Sequence, residues 1–196
     1  MRLIALLNHL YTMETIQHKM RILEQPGPSA DEALARLVAG NQRFHQGVTR
    51  PAGLQRETLA DLARGQKPYA TILGCSDSRV PSEQVFDAGL GELFMVRVAG
   101  NMFSPEVTGS LQYAGSHLET PLFVVLGHDG CGGGRCRPDH QLRGRTALLA
   151  DSDPGGRHPA RAAGVRPGLS PQVRLARVVE CNVLWTVRQI LSTPEG

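Results

Sequence analysis

Two short segments, CSDSRVPSE at residues 75–83 and GHDGCGG at residues 127–133, decide how this chain folds. Each follows closely on an apolar run, Tyr69–Leu73 or Pro121–Leu126, and a third run, Leu93–Val98, lies between them. Apolar runs of this length, bounded by glycine, are typical of strands buried inside a sheet. The sequence therefore predicts three buried strands, with polar residues clustered directly after the first and the third.

Helices are predicted on either side of these strands. Ser29 and Glu32 form a capping box at the start of a helix that ends near Gly47. Further helices are predicted over Leu54–Arg64, from Ser104-Pro105 to about Leu118, and from Ser170-Pro171 to about Leu191. Because strands alternate with helices, we expect an α/β fold in which a parallel β-sheet core is flanked by helices.

The composition indicates one globular domain. The chain has 196 residues, of which 41% are hydrophobic and 20% are charged, and this balance excludes disordered and collagen-like proteins. We expect a single domain over residues 29–196, preceded by an N-terminal extension at residues 1–28. Within the domain, residues 132–168 are rich in glycine, arginine and proline, so they are predicted to form an irregular loop.

Several classes of partner and location are disfavoured. The sequence has no stretch of about 18 apolar residues, so no membrane association is expected. The net charge is only +3 and aromatic residues are 5%, so no nucleic-acid partner is expected. The apolar run at residues 3–7 is too short for a signal peptide, which favours a cytoplasmic location. Four cysteines are too few for a disulfide scaffold of this length and favour metal binding or catalysis.

Cys75, His128 and Cys131 follow the first and third predicted strands. The carboxyl ends of parallel strands lie at one edge of a sheet, so these side chains are expected to meet although they are far apart in sequence. Two thiolates and one imidazole form a Cys₂His ligand set for zinc. Three protein ligands leave one tetrahedral position free, which is typical of a catalytic site, and we expect one Zn²⁺ per chain.

Asp77 and Arg79 lie two and four residues after Cys75. A carboxylate at this distance from a ligand can accept a hydrogen bond from zinc-bound hydroxide, or it can become the fourth ligand itself. A guanidinium two residues further on can pair with the carboxylate and orient it. The same spacing also suits an ordinary surface ion pair in a turn, and the spacing alone leaves both interpretations open.

Three segments of the sequence together resemble the β-class carbonic anhydrases. They are CSDSRVPSE, GLGELFMVRVAGN at residues 89–101, and GHDGCGG. The resemblance implies a zinc enzyme, a lyase, that hydrates carbon dioxide reversibly to bicarbonate and a proton by means of zinc-bound hydroxide. It also implies a parallel β-sheet core and assembly as a homodimer or tetramer.

The resemblance assigns roles to particular residues. It implies that Cys75, His128 and Cys131 bind zinc and that Asp77 and Arg79 form a catalytic dyad. Gln66 lies where the plant-like subgroup has a glutamine that donates a hydrogen bond to the substrate from the dimer interface.

Phe94 and Tyr113 fall at or near the positions that line the substrate pocket in that subgroup. They are equally well interpreted as core aromatic residues. Their assignment to the pocket therefore rests on the resemblance alone.

The sequence departs from the family pattern in two places. The family continues in a helix after the HxxCGG turn, whereas glycines and Pro138 make helix beyond one or two turns unlikely here. The family also usually adds a strand and a helix after the part that matches residues 171–191, so we expect a three-stranded sheet with an exposed edge.

Two other functions fit the same ligand set. One is hydrolysis of carbon disulfide or carbonyl sulfide on the same fold, and the other is zinc binding without catalysis in a truncated relative.

Overall fold

The computed structural model describes residues 26–50, 56–132 and 170–193. In these ranges the chain forms three strands and five α-helices, together with a 3₁₀ turn at Ala99–Asn101. The order is α1 (Ala30–Gln46), α2 (Arg56–Leu62), β1 (Ala70–Cys75), α3 (Ser82–Val85), β2 (Leu93–Val98), α4 (Pro105–Ser116), β3 (Phe123–Leu126) and α5 (Pro171–Leu191). No helix within these ranges is long and apolar enough to cross a membrane.

The strands form one parallel sheet in the order β2-β1-β3. The predicted α/β fold is thereby confirmed, as is a sheet of three strands in the described part of the chain. In the register of the sheet, Cys75 pairs with Val98 of β2. Gly74 pairs with Arg97 of β2 on one side and with Leu126 of β3 on the other. Cys75 therefore lies at the carboxyl edge, where β2 and β3 also end.

The three strands differ in burial. All six residues of β1 are buried, because this strand has a neighbour on each side. In β2 only Val96 is buried, and in β3 the side chain of Phe123 remains 39% exposed. The prediction of three buried strands is correct for β1 and wrong for the two outer strands, which pair on one side only within the described ranges.

The helices cover both faces of the sheet. Successive residues of a strand point to opposite faces, and Ile72 and Leu73 of β1 belong to separate core clusters. Ile72 packs in the cluster that contains Leu37 of α1. Leu73 packs in the cluster that contains Leu111 of α4, with Ile190 of α5 against it. The sheet is thus sandwiched between α1 on one face and α4 with α5 on the other.

The predicted helix starts are confirmed where the structure describes them. The Ser29 hydroxyl accepts the Glu32 N–H and the Glu32 carboxylate accepts the Ser29 N–H at 2.7 Å, which completes the capping box. Ser104 and Ser170 cap α4 and α5 through their hydroxyls alone, which accept the N–H groups of Val107 and Val173. The short second helix ends at Leu62, two residues earlier than predicted, and its predicted start at Leu54 lies outside the described residues.

Two predicted segments lie almost wholly outside the described residues. They are the N-terminal extension at residues 1–28, of which 26–28 are described and irregular, and the loop at residues 132–168, of which only Gly132 is described. Both remain predictions, as does the single domain over residues 29–196.

Candidate metal centre

Cys75, His128 and Cys131 form one side-chain cluster at the carboxyl edge of the sheet. Their ligand atoms all lie within 4.8 Å of one another, and the two sulfur atoms are 3.9 Å apart. The side chains are shielded from solvent, since Cys75 and Cys131 are 6% and 3% exposed. The structure therefore brings together the three residues that the sequence predicted as metal ligands.

The hydrogen bonding of His128 fits a metal in this cluster. Nδ1 lies 3.0 Å from the carbonyl oxygen of Asp129, which can only accept, so Nδ1 donates there and Nε2 is the nitrogen left to ligate a metal. Nε2 is buried and has no hydrogen-bond partner among the residues that the structure describes. Because a buried polar atom without a partner is costly, an imidazole nitrogen beside two thiols is suited to ligating a cation. The donor set of two sulfurs and one nitrogen suits zinc.

The backbone around Cys75 stabilises its ionised form. The N–H groups of Gly100 and Asp77 donate to Cys75 Sγ at 3.2 and 3.4 Å. Burial opposes ionisation of the thiol, but the Gly100 N–H, the His128 side chain and the Asp77 N–H together hold the pKa of Cys75 below its ordinary value. A thiolate is the form that binds metal.

The turn between His128 and Cys131 depends on a glycine. Gly130 has a φ of +68°, in the left-handed region that residues with a Cβ rarely adopt. This conformation brings the chain from the end of β3 back to the cluster within three residues, so that His128 and Cys131 both reach it.

Asp77 and Arg79 form a two-point ion pair beside the ligands. Arg79 Nε and Nη2 donate to the two carboxylate oxygens at 2.9 and 2.8 Å, and the Arg79 N–H adds a bond of 3.0 Å. These bonds hold the pKa of Asp77 far below its usual range. Asp77 Oδ2 lies 3.8 Å from His128 Nε2, and Arg79 Nη2 also donates to the Gly130 carbonyl at 3.3 Å. The pair therefore contacts both ligand-bearing turns.

Arg97 holds the backbone of the first turn, and the sequence analysis missed it. Its Nε donates to the carbonyl oxygen of Cys75 at 3.1 Å and its Nη2 to that of Asp77 at 2.8 Å. The sequence contains one signal for this role, because Arg97 is the single charged residue in the apolar run LFMVRV. In the sheet it pairs with Gly74 of β1.

Comparison with known proteins identifies the family. The family model described as "Carbonic anhydrase" matches residues 70–195. The β-carbonic anhydrase CcaA aligns with a TM-score of 0.66 at 25% identity, over 84% of this chain and 76% of that one. The chain belongs to the β-class carbonic anhydrase family.

Other relatives agree with this β-carbonic anhydrase assignment. Tetrameric β-carbonic anhydrases from the ascomycete Sordaria macrospora are represented by a structure with a TM-score of 0.62 at 25% identity, over 84% of this chain and 81% of that one. Carbonic anhydrase 2 of Mycobacterium tuberculosis is 47% identical over 107 residues, which are 55% of this chain and 52% of the relative. The chain spans about half the length of the curated relatives it matches.

The three predicted substrate-binding residues lie away from the metal centre of their own β-carbonic anhydrase chain. Gln66 is exposed and precedes the start of β1, so it lies at the amino edge of the sheet, whereas Cys75 lies at the carboxyl edge. Phe94 pairs with Thr71, which is about 13 Å from Cys75 along the strand. Phe94 contacts Tyr113, with ring centroids 5.9 Å apart, and Tyr113 is 44% exposed.

Proposed function

We propose that the protein catalyses the reversible hydration of carbon dioxide to bicarbonate and a proton, with one zinc ion bound by Cys75, His128 and Cys131. The observation that carries this proposal is the buried Cys₂His cluster, in which His128 Nε2 lies beside the carboxylate of Asp77 and has no hydrogen-bond partner in the described part of the chain. Membership of the β-carbonic anhydrase family supports the same reaction.

Zinc, when bound, supplies a water that loses its proton near neutral pH. The part played by Asp77 follows from its ionisation. Because Arg79 holds the pKa of Asp77 far below its usual range, the carboxylate carries no proton at neutral pH and only accepts hydrogen bonds. Its Oδ2 lies 3.8 Å from His128 Nε2, so it would accept the O–H of a nucleophile held at the cluster and orient the oxygen lone pair toward carbon dioxide.

Arg79 keeps Asp77 in this role. A carboxylate near a zinc ion is attracted to it and would become the fourth ligand if it were free to move. Three hydrogen bonds from Arg79 fix both carboxylate oxygens where they are. We infer that Asp77 is an orienting acceptor in the working enzyme and that ligation by Asp77 would require these bonds to break.

The substrate pocket is proposed to be completed by a second copy of the chain. Gln66, Phe94 and Tyr113 are too far from the metal centre of their own chain to contact its substrate. In a homodimer or tetramer, the same residues of a partner would approach this site, and the Gln66 amide would donate to an oxygen of carbon dioxide as it gains charge. The tetrameric relatives from Sordaria macrospora support such an assembly.

Metal analysis combined with stopped-flow carbon dioxide hydration tests the proposed function. The parent protein is expected to hold one zinc per chain and to hydrate carbon dioxide, whereas Cys75→Ser and His128→Ala should lose both properties. Cys181→Ser is the matched control, because Cys181 is a free cysteine outside the cluster, and it should keep zinc and activity.

Either of two outcomes would contradict this proposal and favour another function. A parent protein with one zinc per chain and no hydration of carbon dioxide would indicate a non-catalytic relative. Faster turnover of carbonyl sulfide or carbon disulfide than of carbon dioxide would indicate a hydrolase on the same fold.

A further inference from the structure

Helix α5 contributes two polar side chains to the turn at residues 99–101. Asn182 Nδ2 donates to the carbonyl oxygen of Gly100 at 2.8 Å, and Thr186 Oγ1 donates to that of Asn101 at 3.4 Å. The two side chains are four residues apart and so lie on one face of the helix, and Thr186 is fully buried. Two successive carbonyl groups of one turn are thus bonded to a helix more than 80 residues further along the chain.

The turn has an uncommon backbone conformation. Gly100 has a φ of +73° and Asn101 a φ of +44°, so two consecutive residues occupy the left-handed region. A residue with a Cβ persists in this region only where its surroundings hold it there. Asn182 and Thr186 supply such contacts at both residues.

This turn also contacts a metal ligand. The N–H of Gly100 donates to Cys75 Sγ at 3.2 Å, while the carbonyl of the same residue accepts from Asn182. The two groups belong to the peptide units on either side of the Gly100 Cα, so a change in the Asn182 bond acts on the N–H through the φ and ψ angles of Gly100.

Helix α5 approaches the other ligand-bearing segment as well. A Cβ added at Gly127, the residue before His128, would lie 2.8 Å from methyl groups of both Val179 and Val183. The helix thus packs tightly against the chain at the point where β3 leads into the second ligand turn.

We propose that Asn182 is a positioning residue for the metal centre: it fixes the Ala99–Asn101 turn so that the Gly100 N–H donates to the sulfur of Cys75. Thr186 supports the same turn. A hydrogen bond to a thiolate draws charge from the sulfur and fixes its position, and groups that orient metal ligands in this manner contribute strongly to metal affinity. The proposal rests on the proposed function only in taking Cys75 as a metal ligand.

Cobalt(II) substitution and zinc competition with a chelator test this role in the full-length chain. Without Asn182 the turn loosens, the Gly100 N–H bond weakens, and the sulfur releases electrons more readily to the metal. Asn182→Ala is therefore expected to shift the sulfur-to-cobalt charge-transfer band to longer wavelength and to weaken zinc binding about 10-fold or more. Thr186→Val, which keeps the side-chain shape, should shift the band in the same direction by a smaller amount.

Leu37→Ala is the control for general destabilisation. Leu37 is 2% exposed and packs on the opposite face of the sheet, in α1. This variant should have a lower melting temperature but an unchanged charge-transfer band and zinc affinity. If Leu37→Ala changes the charge-transfer band and the zinc affinity as much as Asn182→Ala does, then Asn182 acts only through the stability of the fold.

The remaining outcomes separate the two proposals. A folded Asn182→Ala protein with the parental band and zinc affinity would overturn the positioning role. If Asn182→Ala does not fold, an unchanged band in Thr186→Val would overturn it instead. A parent protein that shows no sulfur-to-cobalt band would contradict the metal assignment itself and hence the proposed function.

Discussion

Arg79 bonds to both turns of the candidate metal centre, and its removal is expected to separate metal binding from catalysis. In Arg79→Ala the carboxylate of Asp77 loses the two hydrogen bonds from the guanidinium and keeps only the one from the backbone N–H of residue 79, so Coulomb attraction should draw it onto the zinc. We expect zinc content equal to that of the parent and a loss of carbon dioxide hydration of about 100-fold or more. Stopped-flow assays and X-ray absorption of the zinc should show low turnover and an added carboxylate oxygen ligand.

Arg79→Lys provides the graded control. An ammonium group is a single point charge and cannot bond to both carboxylate oxygens in a fixed plane, so only part of the activity should return. Near-parental turnover in Arg79→Ala would show that the Asp77–Arg79 pair is an ordinary ion pair in a turn.

The three residues of the candidate metal centre and the Asp77–Arg79 pair beside them could be predicted from the sequence, whereas the backbone bonds of Arg97 and Asn182 could not. Cys75, His128 and Cys131 follow from one general rule, because parallel strands end at a common edge. Arg97 and Asn182 act through bonds to backbone carbonyls that lie 20 to 22 and 82 residues away. The charge inside the apolar run LFMVRV sets Arg97 apart, but no local pattern tells which carbonyls Arg97 or Asn182 will bond to, since any backbone carbonyl can accept such a bond.

The packing of α1 against the segment after α3 depends on a glycine in the middle of a helix. A Cβ at Gly40 would overlap the carbonyl oxygen of Phe86, and backbone cannot move aside as a flexible side chain can. Gly40→Ala is therefore expected to destabilise the fold by about 1–3 kcal/mol, although alanine favours helix. Urea unfolding of the parent and the variant under identical conditions measures the change.

Gly109→Ala is the matched control in α4. Gly109 is exposed and a Cβ there would meet no atom within 4 Å. Only the helix preference of alanine then operates, so this variant should be more stable than the parent by about 0.5–1 kcal/mol. Equal effects of the two substitutions would contradict the close approach at Gly40.

The bounds of helices and strands were predictable where a local signal marks them. Ser29, Ser104 and Ser170 each cap a helix at the predicted position. β3 begins at Phe123, two residues later than the apolar run that starts at Pro121. The strand does not begin at Pro121 because proline has no N–H to donate to a neighbouring strand. The burial of β3 could not be predicted, because it depends on the order of the strands in the sheet, which no local pattern encodes.

Asp87 connects three parts of the molecule through one buried carboxylate. It accepts from the side chain of Arg43 in α1 and from the backbone N–H of Arg50, whose own side chain pairs with Glu92 before β2. The Arg43 guanidinium holds the pKa of Asp87 below its ordinary value, and the Arg50 N–H adds to this effect. The ionised carboxylate is thus part of what stabilises the folded chain.

The pH dependence of unfolding should reveal this contribution. Since the pKa of Asp87 is lower in the folded than in the unfolded state, its stabilisation is complete above the unfolded pKa of about 3.9 and is lost as pH falls through the folded pKa. Asp87→Asn should melt several degrees below the parent at pH 7, and the difference should shrink toward pH 3. Melting curves of the metal-free proteins exclude the effect of metal loss. A difference that stays constant over this range would contradict the assignment.

Of the three strands in the described ranges, β1 is synthesised first although it lies at the centre of the sheet. Its partners in β2 lie 23 residues later, as for Ala70 and Leu93, and those in β3 lie 52 residues later, as for Thr71 and Phe123. Doubling a loop adds about 0.6 kcal/mol to the entropy cost of closing it, so β2 is favoured to join β1 before β3 does. On the ribosome, Cys75 emerges 56 residues before Cys131, and for most of that time the other residues of the candidate metal centre are absent. All three residues of the candidate metal centre are therefore available only after β3 and the turn that follows it have been synthesised.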